Sequence, residues 1–118
     1  MRVQIVDPSA YSPPYDRSLC AALARSGADV ELVTSRFLYG PVPPADGYRV
    51  TEAFYRRSAA RGLDAPARRA FKLAEHFGDM ARHRRHSVSA DVVHYQWVTM
   101  PPLDWALLPP RRGNARGV

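Results

Sequence analysis

Six side chains in two short segments of this chain could form a ligand-binding site. The first segment follows an apolar run at the N-terminus, and the second ends an apolar run much later in the chain. Hydroxyl, carboxylate, imidazole and amide groups form hydrogen bonds with a ligand, and aromatic rings add apolar surface. Open α/β sheets bind ligands beside the carboxyl ends of their strands, where we expect both segments to lie. The candidates are Ser12, Tyr15, Asp16, His94, Gln96 and Trp97.

These candidates also have structural interpretations, which stay open at this point. Asp16 follows two prolines and a tyrosine, and it is predicted to be the N-cap of a helix. A histidine in a buried strand is more often a hydrogen-bonded core residue than a catalyst, and we favour that interpretation for His94. Strand alternation predicts that His94 and Gln96 lie on one side, with Tyr95 and Trp97 on the other.

A compact strand–helix–strand unit is predicted to position the first segment. Residues 3–7 form an apolar run, residues 16–25 have apolar positions at helical spacing, and residues 29–34 form a second apolar run. Such a unit favours a right-handed parallel crossover. A dinucleotide-binding turn would carry G-x-G-x-x-G after the first strand. Residues 8–15 contain prolines and tyrosines instead, so we do not expect a tightly bound dinucleotide.

The later segments complete an α/β domain. Residues 48–54 alternate well enough for a third, peripheral strand, and residues 91–98 form a strongly apolar fourth strand. Residues 101–108 are compatible with a short helix, whereas residues 109–118 lack periodicity and are predicted to be a disordered tail. We therefore expect one Rossmann-like domain over residues 1–108, with a three-layer parallel sheet of order 3-2-1-4 and helices on both faces.

A long helix is predicted from Pro66 to about His86, because proline suits the first turn. Its apolar residues recur at helical spacing, so we expect them to face the core. The expected core stripe is Ala67, Ala70, Phe71, Leu73, Ala74, Phe77, Met80 and Ala81.

Positive charge is concentrated in residues 53–90. This segment holds nine Lys or Arg against three acidic residues, which equals the net charge of +6 of the whole chain. This segment has three interpretations, given in decreasing order of preference: a solvated face, contact with anionic lipid, and nucleic-acid binding. Nucleic acid is not expected, because the segment has no recognised motif or interleaved aromatic residues. The anionic-surface candidates are Arg68, Arg69, Lys72, Arg82, Arg84 and Arg85.

Composition favours a cytoplasmic protein, with peripheral contact at the inner face of the membrane as an open alternative. No run approaches the roughly 18–20 apolar residues of a membrane span, and no secretory signal opens the chain. Cys20 is the single cysteine and is expected to be a buried helix residue. The histidines have no standard metal-binding spacing, so neither a metal nor a cofactor is expected.

Three motifs together resemble the N-terminal half-domain of GT-B glycosyltransferases, specifically the large retaining family 4. They are Ser-Pro-Pro-Tyr-Asp at residues 12–16, the segment at residues 19–34, and Asp-Val-Val-His-Tyr-Gln-Trp at residues 91–97. The resemblance implies the acceptor-side portion of an enzyme that transfers a sugar from a nucleotide-sugar with retention of configuration. It also implies that the six candidates line the cleft between acceptor and donor.

The chain departs from the family pattern in ways that limit this expectation. Many relatives have paired glycines at Tyr15 and Asp16, and a catalytic-site histidine at Gln96, which cannot serve as a base. The glutamate pair of the family's donor-binding domain is missing, so the chain looks truncated. We expect it to be inactive alone, with an unknown general base. The alternatives are a stand-alone module that pairs through its fourth strand, as a homodimer or with a separate C-terminal half, and a basic binder of anionic surfaces.

Overall fold

The computed structural model describes residues 1–38, 40–57, 65–97 and 116–117 of the 118-residue chain. The elements that lie wholly within these ranges are five strands, two helices and a short 3-10 helix that follows the second of these helices. The strands are β1 (Arg2–Asp7), β2 (Asp29–Ser35), β3 (Arg49–Phe54), β4 (Val92–Tyr95) and β5 (Arg116–Gly117). The helices are α1 (Pro13–Arg25) and α2 (Ala65–His86), and the 3-10 helix is Ser87–Ser89.

The strands form one parallel sheet in the order β3-β2-β1-β4-β5. Ile5 of β1 is in register with Leu32 of β2 on one side and with His94 of β4 on the other. The order 3-2-1-4 predicted for the first four strands is confirmed. The chain moves outward from β1 to β3 and then crosses back to β4, so the strand order reverses between β1 and β4. Ligands of open α/β sheets bind at such a reversal.

Strand β5 lies in the segment for which we predicted a disordered tail. Arg116 and Gly117 pair with Val92 and Val93, so part of the outer edge of β4 is already hydrogen-bonded. Strand β4 is also shorter than predicted, ending at Tyr95. The predicted helix over residues 101–108 lies outside the described residues.

Helix α1 begins at Pro13, three residues before the predicted start. Proline is favoured at the first helical position because its φ is already helical and its missing N–H would have no helical partner there. Ser12 is therefore the N-cap residue, and the prediction that Asp16 caps the helix is wrong. The helix packs on one face of the sheet over a core formed by Val3, Ile5, Cys20, Ala21, Val30, Leu32 and Tyr48.

Helix α2 buries a different face from the one that its apolar residues predict. Leu73 and Phe77 are 50% and 39% exposed. Met80 is the one residue of the expected core stripe that is buried, whereas the stripe's alanines at positions 67, 70 and 74 are exposed. The core stripe prediction is therefore wrong for most of its members.

Polar residues of α2 are buried in place of that stripe, because each has a hydrogen-bonding partner at or directly after the end of a strand. The Nδ1 atom of His76 lies 2.6 Å from the hydroxyl oxygen of Tyr55. Asp79 accepts a hydrogen bond of 2.8 Å from the backbone N–H of Tyr55. The Nε2 atom of His83 lies 3.0 Å from the hydroxyl oxygen of Tyr95. Hydrogen-bonded polar groups are tolerated in a protein core. The spacing of apolar residues in the sequence does not indicate which polar residues are buried in this way.

Candidate functional site

Gln96 joins the end of β4 to the first turns of α1. Its side-chain nitrogen donates to Oδ1 of Asp16 over 3.2 Å, and its side-chain oxygen lies 2.8 Å from Nε2 of His94. Its backbone N–H donates to the carbonyl oxygen of Val6 over 2.9 Å, which fixes it beside β1. Asp16, from near the start of the sequence, therefore meets the neighbouring candidates His94 and Gln96 where the strand order reverses.

Ser12 connects Asp16 to a pair of exposed aromatic rings. Its hydroxyl donates to Oδ1 of Asp16 over 3.4 Å and accepts from the indole N–H of Trp97 over 3.3 Å. The rings of Trp97 and Tyr11 are tilted at 36°, with their centroids 5.4 Å apart. Because Tyr11 is 73% and Trp97 50% exposed, both rings are accessible to a ligand.

Asp7, the last residue of β1, organises the loop that carries Ser12, and we did not predict it as a site residue. Its Oδ2 accepts from the backbone N–H of Tyr11 over 2.7 Å and of Ser12 over 3.3 Å. Its carbonyl oxygen accepts from Ala10, which has a left-handed φ of 49°, and from the hydroxyl of Thr34. Aspartate often forms such bonds to backbone amides in turns, so its position directly before a proline turn was a usable signal.

Two carboxyl groups of this cluster are buried together. Asp7 and Asp16 are 0% and 1% exposed, and Ser12 bridges their carboxyl groups through its backbone N–H and its hydroxyl. Burial, followed by the contact with Asp7, raises the pKa of Asp16 to about 7, although hydrogen bonds from Gln96 and Ser12 lower it. The cluster therefore holds a carboxyl group that titrates near neutral pH.

The two aromatic candidates, Tyr15 and Trp97, differ in their relation to this cluster. Tyr15 is exposed on the first turn of α1, outside the hydrogen-bond network described above. Trp97 was expected on the opposite side of its strand from Gln96, but it joins the same cluster. Strand β4 ends at Tyr95, so the alternation of side chains does not extend to Trp97.

The six cationic candidates lie on α2 and do not join this cluster. The guanidinium group of Arg82 is 3.3 Å from Asp79, and the ammonium group of Lys72 lies 4.5 Å from the ring centroid of Tyr55. The remaining four are exposed (Arg68, Arg69 and Arg85) or half-buried (Arg84).

The opposite, amino edge of the sheet has a groove built around Glu31. This carboxylate accepts from Gln4 over 2.9 Å and from Thr51 over 2.6 Å, and it lies 3.2 Å from Nε2 of His86. Although burial acts to raise it, the pKa of Glu31 is lowered by the hydrogen bonds from Thr51, Gln4 and His86. These contacts tie α2 to the sheet, which is a structural role. The groove is lined by Arg2, Val3, Gln4, Asp29, Glu31, Arg49, Ser89 and Ala90.

Comparison with known proteins does not identify the chain. No protein-family model matches it, and no curated protein gives a significant match. Within residues 1–38, 40–57 and 65–97, no three His, Cys, Asp or Glu side chains form a group that could hold a metal ion. Among these same ranges, no helix has the length and apolar character needed to span a bilayer.

Proposed function

We propose that this chain is the acceptor-side half-domain of a GT-B-type retaining glycosyltransferase, and that its carboxyl edge binds the hydroxyl groups of a sugar acceptor. One observation carries the proposal. A continuous series of hydrogen bonds links His94, Gln96, Asp16, Ser12 and Trp97 across the reversal of strand order. These residues come from the same motifs that resemble the family.

The chemistry of the cluster suits a carbohydrate. Amide, hydroxyl and carboxyl groups can donate to and accept from sugar hydroxyls, and binding sites typically combine a few such groups with apolar surface. The exposed rings of Tyr11 and Trp97 offer that surface to the C–H faces of a sugar. Gln96 cannot accept a proton as a base, so its role would be to orient a hydroxyl group.

Sugar transfer also needs a second wall of the cleft, that is, a donor-binding side that binds the nucleotide-sugar. Orientation of donor and acceptor, together with stabilisation of the leaving diphosphate, supplies much of the catalysis in such a reaction. In this proposal the second wall comes from another domain or another chain. We therefore expect the 118-residue chain to bind an acceptor sugar without turning over a donor. Turnover of any nucleotide-sugar by the purified chain would refute this part of the proposal.

Saturation-transfer NMR with a panel of simple glycosides tests the binding site. We expect Gln96→Ala and Trp97→Ala each to weaken binding by about fivefold, since one lost hydrogen bond or stacking contact is worth about 1 kcal/mol. Ser89→Ala, at the amino edge, is the control and should bind as the wild type does. The proposal is wrong if the wild-type chain binds no glycoside of the panel, or if both site variants bind with unchanged affinity.

The exposed apolar side of α2 favours a second candidate function, contact with an anionic membrane surface. Leu73 and Phe77 are one helical turn apart and exposed, and the exposed cations Arg69 and Arg85 lie on either side of them along the helix. Amphipathic helices bind membranes through buried apolar area and electrostatic attraction, with about 1 kcal/mol for each cation near the surface. Pairing of a second chain along β4 is less favoured, because β5 occupies part of that edge.

Vesicle co-sedimentation tests this second candidate. We expect the chain to sediment with vesicles that contain phosphatidylglycerol and not with pure phosphatidylcholine, and a Leu73→Gln/Phe77→Gln double variant to lose this binding. Leu38→Gln replaces an equally exposed leucine in a loop and serves as the control. Equal sedimentation of the double variant and the control, or preferential binding to nucleic acid, would rule the candidate out.

A further inference from the structure

We infer that Asp7 and Asp16 hold one proton between them at neutral pH, and that loss of this proton loosens the loop of residues 8–12. Ligand binding at the carboxyl edge would then depend on pH. The consequence for ligand binding rests on the proposed function, whereas the shared proton is a property of the chain alone.

The carboxyl groups of Asp7 and Asp16 are both buried without a compensating cation from the described part of the chain. Ser12 touches both groups, because its backbone N–H reaches Oδ2 of Asp7 and its hydroxyl reaches Oδ1 of Asp16. Among the described residues, no Lys or Arg forms an ion pair with either group. Two ionised carboxylates in one buried site repel each other strongly, so one of them retains a proton.

The hydrogen-bond donors that the described residues place around the pair reach only one oxygen of each carboxyl group. Both backbone donors reach Oδ2 of Asp7, and the donors Ser12 and Gln96 both reach Oδ1 of Asp16. The Oδ1 atom of Asp7 is buried and has no partner among the described residues. A protonated Asp16 would donate to this oxygen and remove the penalty of an unsatisfied buried acceptor.

The same carboxyl groups hold the loop. Asp7 fixes the amides of Tyr11 and Ser12, and Ser12 in turn holds Trp97. When the second carboxyl group ionises, repulsion separates β1 from α1 at the point where this loop joins them. The aromatic pair at the mouth of the site would then lose its support.

None of the titratable groups around Asp16 takes over the role of the shared proton, which is to relieve the repulsion between the two carboxylates. Burial, followed by the charge of Asp16, raises the pKa of the Cys20 thiol to about 12, so that thiol stays neutral. Arg17 donates to the carbonyl oxygen of Pro43 over 2.9 Å, and among the described residues it forms no ion pair with either aspartate. The groups that face Asp16 are Asp7 from β1, Cys20 and Arg17 from α1, and His94 from β4 through Gln96.

NMR spectroscopy of the full chain tests the inference through the amide signals of Tyr11 and Ser12. Because the pKa of Asp16 is raised to about 7, we expect both signals to titrate with a midpoint near that pH. Asp16→Asn should abolish the transition, since an amide does not ionise, whereas Asp7→Asn should lower its midpoint, since the repulsion between two carboxylates is lost while Asp16 stays buried. Asp91→Asn is the control, because Asp91 accepts from the backbone of Arg2 at the amino edge. That variant should titrate as the wild type does.

Infrared spectroscopy of the wild-type chain gives a readout that does not depend on the folding of a variant. We expect a C=O band of a protonated carboxylic acid that persists at about pH 6 and disappears by about pH 8.5. Absence of this band at pH 6, or amide signals of Tyr11 and Ser12 that do not titrate near neutral pH, would overturn the inference. A transition that survives in the Asp16→Asn variant would do the same. If the transition is present but no glycoside binds, the shared proton stands and the proposed function fails.

Discussion

Acidification should destabilise this fold through His83, a histidine buried without a charged partner. Its side chain is 3% exposed and lies between the rings of Phe54 and Tyr95, with centroid distances of 5.8 Å to each. Its Nε2 contacts the hydroxyl of Tyr95, whereas its Nδ1 has no partner among the described residues. Burial, followed by the charge of His86, lowers the pKa of His83 from 6.5 to about 4, although Glu31 acts to raise it. The folded chain therefore resists protonation at this site.

The size of the effect follows from proton linkage. In the unfolded chain the histidine binds a proton near pH 6.5, whereas in the folded chain it does so only near pH 4. Between these values the unfolded state binds more protons, so stability falls as the pH falls. Each pKa unit corresponds to about 1.4 kcal/mol. We therefore expect His83 to reduce the free energy of unfolding by about 2 kcal/mol at pH 5 and about 3 kcal/mol at pH 4, relative to pH 7.

Urea unfolding followed by circular dichroism at several pH values measures this loss. His83→Gln removes the ionisable group, so the stability gap between wild type and variant should shrink by about 2 kcal/mol from pH 7 to pH 5. Tyr95→Phe is the matched control, because it removes the hydrogen bond and keeps the buried imidazole. That control should be less stable at every pH but should keep the wild-type pH dependence. Parallel stability curves for the wild type and His83→Gln between pH 7 and pH 5 would refute the reasoning.

Three further outcomes test the packing and the backbone. Phe54→Ala should lower the free energy of unfolding by about 3–5 kcal/mol, because this side chain is fully buried, whereas Leu38→Ala in an exposed loop should change little. Ala10→Gly should stabilise the chain by about 0.5–1 kcal/mol, because Ala10 has a left-handed φ; a lower melting temperature would contradict this. Cys20 should react with a maleimide in urea but not in the native chain, since its thiol is buried and its pKa is raised to about 12; rapid native labelling would contradict this.

The sheet order could be predicted from the sequence because parallel crossovers obey strong rules of handedness and length. The first two strands are separated by one short helix, and the apolar segment that becomes β4 returns after a long helix. The face that α2 buries could not be predicted in the same way. Apolar spacing pointed to Phe77 and Leu73. The partners of His76, Asp79 and His83 lie directly after β3 and at the end of β4, and only the fold brings them near α2.

The candidate site also combines residues that could be predicted from the sequence with a residue that could be recognised only in the folded structure. Ser12, Asp16 and Gln96 could be found from their positions after apolar strands, and the structure joins them by hydrogen bonds. Asp7 was overlooked because its carboxylate acts on the backbone of the following loop, so its one signal in the sequence is its position directly before a proline turn. The raised pKa of Asp16 also depends on burial beside Asp7, and burial of a helix residue near its first turn follows from packing alone.

Chemical-shift mapping on the isotope-labelled chain during titration with glycosides tests the central claim most directly. We expect the largest shifts at the backbone amide of Ser12, the side-chain amide of Gln96 and the indole N–H of Trp97, all at the carboxyl edge of the sheet. Shifts confined to the amino edge, around Arg2 and Ser89, or no shifts with any glycoside, would contradict the proposal that this edge is the acceptor wall of a sugar-transfer site.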